Sequence, residues 1–290
     1  MKHRPLVQVR DKGNTPRMKT NAEALAQWLV QQHRDRKMLG PVPSAFAPKT
    51  RADAIAAQEA FVSLKARQCG EPVGWKIALA TPVMQAMVGL DAPIAGRLHQ
   101  KQVIESPAKT EWSAYGRLLI EFEIAVRLGS DLKPPRGRGA VGHDRYSVME
   151  AVDAIAPAME IADDRCADYS DMSKHGLQLL ADNAWNEGAV FGRWRRDWRS
   201  LGSANEGVGH LGGTALINGS VVGQGFGRDL MGHPLDALAW LANDVNQRGS
   251  FLCKGEVAIL GSLVRSQFPG PGDRLEFQLE GFDPVLLRII

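Results

Sequence analysis

Leu119-Ile120-Glu121-Phe122-Glu123-Ile124-Ala125 alternates apolar and acidic residues within a longer pattern that runs from Leu118 to Arg127. Successive side chains of a strand point to opposite faces, so Ile120, Phe122, Ile124 and Val126 form one apolar face while Glu121 and Glu123 share the other. Glutamate is a poor strand former, and two carboxylates roughly 7 Å apart on one face repel. A divalent cation would turn that repulsion into binding. The alternative is the solvated outer face of an edge strand, where charges discourage pairing with other chains.

Ala158-Met-Glu160-Ile-Ala162 is a second short alternating segment. Its glutamate is flanked on its own face by two alanines, which leave room for a bound group. Three carboxylates with no histidine or thiol ligand suit a hard ion, Mg²⁺ or Mn²⁺. For Glu160 alone, an ion pair with Arg165 is the alternative. Lys76 stands in the apolar run Trp75-Lys-Ile-Ala-Leu79, which reads as a short buried strand. Desolvation there lowers an ammonium pKa and makes it usable for proton transfer, whereas a lysine at a strand end can equally snorkel to solvent.

Around these segments the chain shows punctuated elements. Asn21 caps an amphipathic helix, a second covers Arg51 to Arg67, and Gly70-Glu-Pro-Val-Gly74 ends it. Ser147-Val-Met-Glu150 reads as a capping box opening a helix through Ile155. Asn218-Gly219 is a hairpin turn between Ala215 and Val222. Pro234 to Val245 is a helix with proline in its first turn, preceded by a structural His233, and the carboxy-terminal residues alternate as strands. The spacing predicts a loose extension over 1–20 (with Met18 an alternative start), a small α/β region over 21–110, and a cation-binding β-region over 111–290. Strands with occasional helices and no regular βαβ rhythm give an α+β fold with a largely antiparallel sheet.

Composition narrows the function classes. The chain has 290 residues, 44% hydrophobic and 23% charged, with a formal net charge of +3. That excludes disorder and gives no electrostatic footprint for nucleic acid. No run of about 18 apolar residues and no secretory signal is present, so a cytoplasmic protein without a membrane partner is expected. Cys69, Cys166 and Cys253 lack metal-ligand spacing and read as buried free thiols. Gly207-Val-Gly-His-Leu-Gly212 matches a dinucleotide fingerprint but leads into a hairpin rather than a helix. Arg193-Trp-Arg-Arg-Asp-Trp-Arg199 reads as a surface or subunit contact through Trp194 and Trp198. Asp182 and Asn183, taken alone, are turn or capping types.

Taken together, Val73-Gly-Trp-Lys76-Ile, Glu121-Phe-Glu123-Ile-Ala, Met159-Glu160-Ile-Ala-Asp163-Asp-Arg165, Ala181-Asp-Asn183-Ala, Gly232-His-Pro-Leu235 and Gly261-Ser262-Leu resemble a known group. It is the 2-keto-4-pentenoate hydratase and 4-oxalocrotonate decarboxylase family of the fumarylacetoacetate hydrolase superfamily, and the resemblance covers roughly residues 22–290. It implies a β-roll of the fumarylacetoacetase C-terminal-like type. It also implies a metal on Glu121, Glu123 and Glu160, Lys76 reaching a small 2-oxo acid substrate, and a homo-oligomer. The reaction implied is a lyase reaction, hydration or decarboxylation, as in the catabolism of aromatics. Asp182 and Ser262 fall at pocket positions, as do two departures: Ile94 where the family carries aspartate, and Trp185 where it carries a small polar residue. These departures imply a drier, narrower pocket, with weak or absent hydration of plain 2-hydroxypentadienoate and retained metal-dependent binding of 2-oxo acids. An acylpyruvate-type hydrolase, which needs a histidine–carboxylate pair over the metal, and a non-catalytic partner subunit are the rivals.

Overall fold

The computed structural model describes residues 19–136, 141–201 and 207–290. The extension expected over 1–20, apart from its last two residues, and residues 137–139 of the Pro134–Gly139 loop lie outside the described residues. The elements in chain order are α1 (Asn21–Arg34), α2 (Arg51–Cys69), β1 (Pro72–Ala78), α3 (Pro82–Met87), β2 (Ile94–His99), β3 (Val103–Glu105), β4 (Ala108–Thr110), β5 (Leu118–Leu128) and α4 (Arg145–Ala151). They continue with β6 (Val152–Asp163), α5 (Gly176–Ala181), β7 (Asn186–Phe191), β8 (Gly212–Ile217), β9 (Ser220–Phe226), α6 (Pro234–Gln247), β10 (Val257–Ser262), β11 (Arg274–Leu279) and β12 (Val285–Ile289).

Two mixed sheets carry the fold. One has seven strands in the order β2-β1-β10-β5-β6-β7-β3, the other five in the order β4-β12-β11-β8-β9. The larger sheet takes strands from both sides of residue 110. Most of its pairs are antiparallel, with β1–β10 and β3–β7 parallel. Ile120, Phe122, Ile124 and Val126 enter the main core as the alternation predicts, and Phe122 meets Phe277 of β11 with ring centroids 5.6 Å apart. Each such fully buried aliphatic or aromatic side chain contributes roughly 1.5–3 kcal/mol. Helices α1, α2 and α5 cover the other face through a second core that contains Leu25, Leu29, Phe61, Leu119 and Ile94.

The edge-strand alternative for the acidic alternation does not hold, because β5 lies between β10 and β6. The Asn218-Gly219 hairpin and α6 form where expected, and His233 caps α6 by accepting from the Leu235 N–H at 3.0 Å. Other boundaries differ. α1 is capped by Thr20 in a reciprocal box with Glu23 rather than by Asn21. The functioning box of α4 is Asp144 with Ser147, so the helix begins three residues earlier than read and stops at Ala151. Residues 152–155 are then the start of β6, a twelve-residue strand. Trp198 is 3% exposed and belongs to the main core, so it is not an exposed contact; Trp194 is partly buried against Phe191. Cys166 and Cys253 are exposed and Cys69 is intermediate, against the expectation of buried thiols.

Candidate metal centre and cavity

Register builds the centre. Glu121 of β5 faces Glu160 of β6 as a direct cross-strand pair, and Glu123 lies opposite Ala158. The alanine leaves space over Glu123, and oxygens of the three glutamates lie within 4.8 Å of one another. Glu123 and Glu160 are 0% exposed. At that separation two carboxylates repel by roughly 3 kcal/mol with an effective dielectric constant near 20, and desolvation adds several more per ion.

Each carboxylate is anchored by one oxygen. Ser266 Oγ donates to Glu121 Oε1 at 2.6 Å, and the Gly261 N–H donates to Glu123 Oε2 at 2.7 Å. Asn186 Nδ2 and Lys76 Nζ each reach Glu160 Oε1 at 2.9 Å. The remaining oxygens of the two buried residues, Glu123 Oε1 and Glu160 Oε2, have no hydrogen-bond partner. A buried anionic oxygen without a donor is costly and rare. Two of them converging beside a third carboxylate fit a hard divalent cation, which is the ligand set that oxygen-only coordination requires.

A β-bulge delivers the Gly261 donor. The β10–β5 register shifts between Ile259 and Ser262, and Gly261 takes φ 110°, a region that side-chain-bearing residues rarely adopt. Ser262 locks the bulge: its hydroxyl accepts from the Phe122 N–H at 3.0 Å and donates to Val264 O at 2.7 Å. Lys76 is 2% exposed on β1, opposite Gly96 of β2, where a Cβ would sit 3.1 Å from the lysine Cγ. Burial alone would lower the Lys76 pKa, as its apolar neighbours suggested. The fields of Glu160, Glu121 and Glu123 outweigh that and raise it. Burial, together with Glu121 and only partly offset by Lys76, pushes Glu160 up to about 7, and burial with its two acidic neighbours raises Glu123 well above the usual range.

Lys76, Glu121, Ser262 and Trp185 line one cavity of about 730 Å³. Trp185 reaches it from a left-handed turn in which Asn183, Ala184 and Trp185 have φ of 54°, 51° and 60°. Such residues cost roughly 1–2 kcal/mol each. The turn is held by the Asn183 side chain, which accepts from the Arg97 N–H at 2.6 Å and donates to Arg97 O at 2.9 Å, acting as a strand partner for β2.

Two expected pocket residues are not in that lining. Ile94 is fully buried in the helical-side core with Leu119, Ala162 and Trp185, which do line the cavity. It sits behind the wall and does not narrow the pocket. Asp182 is buried in an ion-pair cluster with Arg165 and His33. Arg165 is thereby taken, and Glu160 pairs with Lys76 instead. Sequence reasoning missed Ser266, Asn186 and the methionines of the cavity. Asn186 follows a recognisable landmark, but Ser266 lies in a loop with no pattern.

With this geometry in view, the relatives are informative. The chain matches the fumarylacetoacetate hydrolase C-terminal family over residues 68–289 and belongs to that family. Within it, the chain is an enzyme of the lyase type, grouped with hydratases and decarboxylases. It is 30% identical over 262 residues to a 2-hydroxyhexa-2,4-dienoate hydratase of Comamonas testosteroni, covering 89% of this chain and 94% of the relative. It is 28% identical over 263 residues to a 2-keto-4-pentenoate hydratase of Paraburkholderia xenovorans, covering 91% and 93%. The solved 4-oxalocrotonate decarboxylase of Pseudomonas putida G7, complexed with magnesium and adipate, superposes with a TM-score of 0.82 at 27% identity, covering 94% of this chain and 100% of that one. No helix among the described residues is long and apolar enough to cross a membrane.

Proposed function

We propose that Glu121, Glu123 and Glu160 hold one divalent cation, Mg²⁺ or Mn²⁺, and that the chain hydrates or decarboxylates a small 2-oxo or 2-hydroxydienoic acid in the adjoining cavity. The observation that carries this is the pair of buried, unpartnered oxygens, Glu123 Oε1 and Glu160 Oε2, beside Lys76 at the cavity. The magnesium named for the decarboxylase neighbour supports the cation class.

When bound, the cation supplies Lewis-acid polarisation of the acid's oxygens. The protein's share is positional. Gly261, Asn186 and Ser266 fix the orientation of the three carboxylates, as outer partners of metal ligands do. Lys76 Nζ, buried at the cavity, holds the proton exchanged with the carbon chain. Leu119, Ala162 and Leu230 give the same cavity apolar surface. Among the described residues no histidine lines the cavity, which favours the lyase over a hydrolase built on a histidine–carboxylate pair. A cytoplasmic homo-oligomer completes the reading; its partly buried Trp194 remains a contact candidate, and light scattering at micromolar concentration checks the assembly.

The test is turnover of 2-hydroxypenta-2,4-dienoate and of 4-oxalocrotonate by the Mg²⁺-loaded protein, before and after chelation. At least one acid should turn over, and chelation should abolish it, with Mg²⁺ restoring it. Lys76→Met should lose turnover while still binding oxalate in a Mg²⁺-dependent manner. Activity that survives complete chelation would contradict the reading.

A further inference from the structure

The cavity is far larger than a five-carbon acid fills, and most of the residues that line it are apolar. At the metal end stand Lys76, Glu121, Ser262 and Ser266. The rest of the lining is largely apolar and includes Met84 and Met87 of α3, Met172 of the 169–174 turn, Leu179 of α5, Trp185 and Phe268. This apolar wall is assembled tightly. A Cβ on Gly89 would sit 2.2 Å from Ser173 O, and one on Gly176 would sit 2.4 Å from Val88 O, so the segment after α3 and the 169–176 segment meet backbone to backbone.

Polar atoms nearby are committed elsewhere. Tyr169 donates its hydroxyl to Asp164 Oδ2 at 2.8 Å and turns its ring edge-on to Trp185, with centroids 6.4 Å apart. Asp164 is also held by the Arg117 guanidinium. The two remaining charges in the lining, Asp229 and Arg265, are exposed and opposite in sign. Phe268, Met84, Tyr169 and Met87 are among the exposed large apolar residues, so the apolar wall extends to the rim. Contiguous apolar surface joined to a cleft marks a binding site.

We infer that the acid handled here carries a bulky uncharged group, branched alkyl or aryl, at the end remote from its carboxylate and 2-oxo group, and that this apolar wall receives it. The inference rests on the metal-site reading above. A second carboxylate against these side chains would have to give up its hydration to methionine and leucine, with only a solvated arginine to meet it. An apolar tail instead gains from every side chain it covers, and thioethers adapt to its shape.

The test is calorimetric binding of three 2-oxo acids to the Mg²⁺-loaded full chain: pyruvate, 2-oxo-4-phenylbutanoate and 2-oxoadipate, with oxalate as a tail-free probe of the metal end. The phenyl acid should bind roughly tenfold or more tightly than pyruvate, the gain expected from burying a phenyl group, and 2-oxoadipate no better than pyruvate. Met84→Arg, a change at a part-exposed position that does not threaten the core, should erase most of the phenyl advantage and improve 2-oxoadipate. Mg²⁺-dependent oxalate binding with no phenyl advantage, or with 2-oxoadipate preferred by the parent protein, overturns the tail inference and leaves the metal site standing. Failure of oxalate and of all three acids overturns both. A change of oligomeric state in Met84→Arg without a change in acid preference would make the rim a subunit contact and also overturn the inference.

Discussion

Two buried clusters of charge lie within this fold, and they are built on opposite principles. Around Asp182 and Glu187 every carboxylate oxygen is met. His33 bridges the pair, with Nε2 at 2.5 Å from Asp182 Oδ1 and Nδ1 at 2.8 Å from Glu187 Oε1. Arg165 holds the other Asp182 oxygen, while Lys65 and Gln102 close on Glu187. With His33 protonated, three cationic side chains face two acids. Around Glu121, Glu123 and Glu160 a single cationic side chain, Lys76, faces three acids, and two buried oxygens have no donor. Burial acts against ionisation in both clusters, yet Arg165 and His33 still hold Asp182 below its usual value, whereas Glu160 rises to about 7. Burial of charge alone therefore does not mark a functional site. An uncompensated deficit of positive charge does, because the fold tolerates it only where something binds.

The largest expected effect comes from reducing that deficit without changing shape. Glu160→Gln should lower turnover on the order of a thousandfold or more, the loss expected when a ligand to the polarising ion is removed. Thermal stability of the metal-free protein should hold or rise, since a repelling charge is gone. A large drop in its melting temperature would show that Glu160 is a structural partner of Lys76 like those in the balanced cluster.

Asp182→Asn provides the converse. It leaves the buried Arg165 without its full counter-charge and should destabilise by about 3–5 kcal/mol in urea denaturation. The folded fraction should still bind Mg²⁺. Loss of metal binding at unchanged stability would mean the two clusters are not separable.

A smaller effect is carried by pH. Burial disfavours the His33 cation, but Asp182 and Glu187 outweigh that and raise its pKa above the ordinary 6.5. A raised pKa means the stabilisation is fully present below pH 6.5 and fades as pH climbs through the folded value. Asp182 and Glu187 are both shifted down, so their share is present above the ordinary carboxylate range and is lost only in stronger acid. His33→Gln should therefore cost most stability near pH 5.5 and progressively less toward pH 9, measured as melting temperature against the parent. A difference independent of pH would show that His33 is neutral in the fold.

The same contrast explains what could be read in advance. The acidic cluster was legible because each glutamate interrupts a period-two apolar pattern, and small neighbours at Ala158 and Ala162 leave it space. The Asn218-Gly219 turn and the proline-led α6 were legible because their signals are local. The balanced cluster was not, since His33 and Asp182 are 149 positions apart and only the packing of α1 on α2, and of α2 on α5, joins them. Arg165 was available to Glu160 on sequence grounds and goes to Asp182 because of that packing. The start of β6 was misread for a related reason. A serine–glutamate spacing mimicked a helix start, and Pro157 argues against a central strand. Its carbonyl accepts from the Gly192 N–H just beyond the end of β7, so its missing N–H falls where the ladder runs out. Ile94 matched a site position by order along the chain, but its side chain packs into the core behind the cavity wall.

The central claim, that an unbalanced trio of glutamates is a cation site, is tested most directly by anomalous diffraction from crystals soaked in Mn²⁺. One peak should stand among Glu121, Glu123 and Glu160, within bonding distance of an oxygen of each and including Glu123 Oε1 and Glu160 Oε2. A saturating soak that leaves this position empty, or that puts manganese elsewhere while the three glutamates keep their present contacts, would contradict the account.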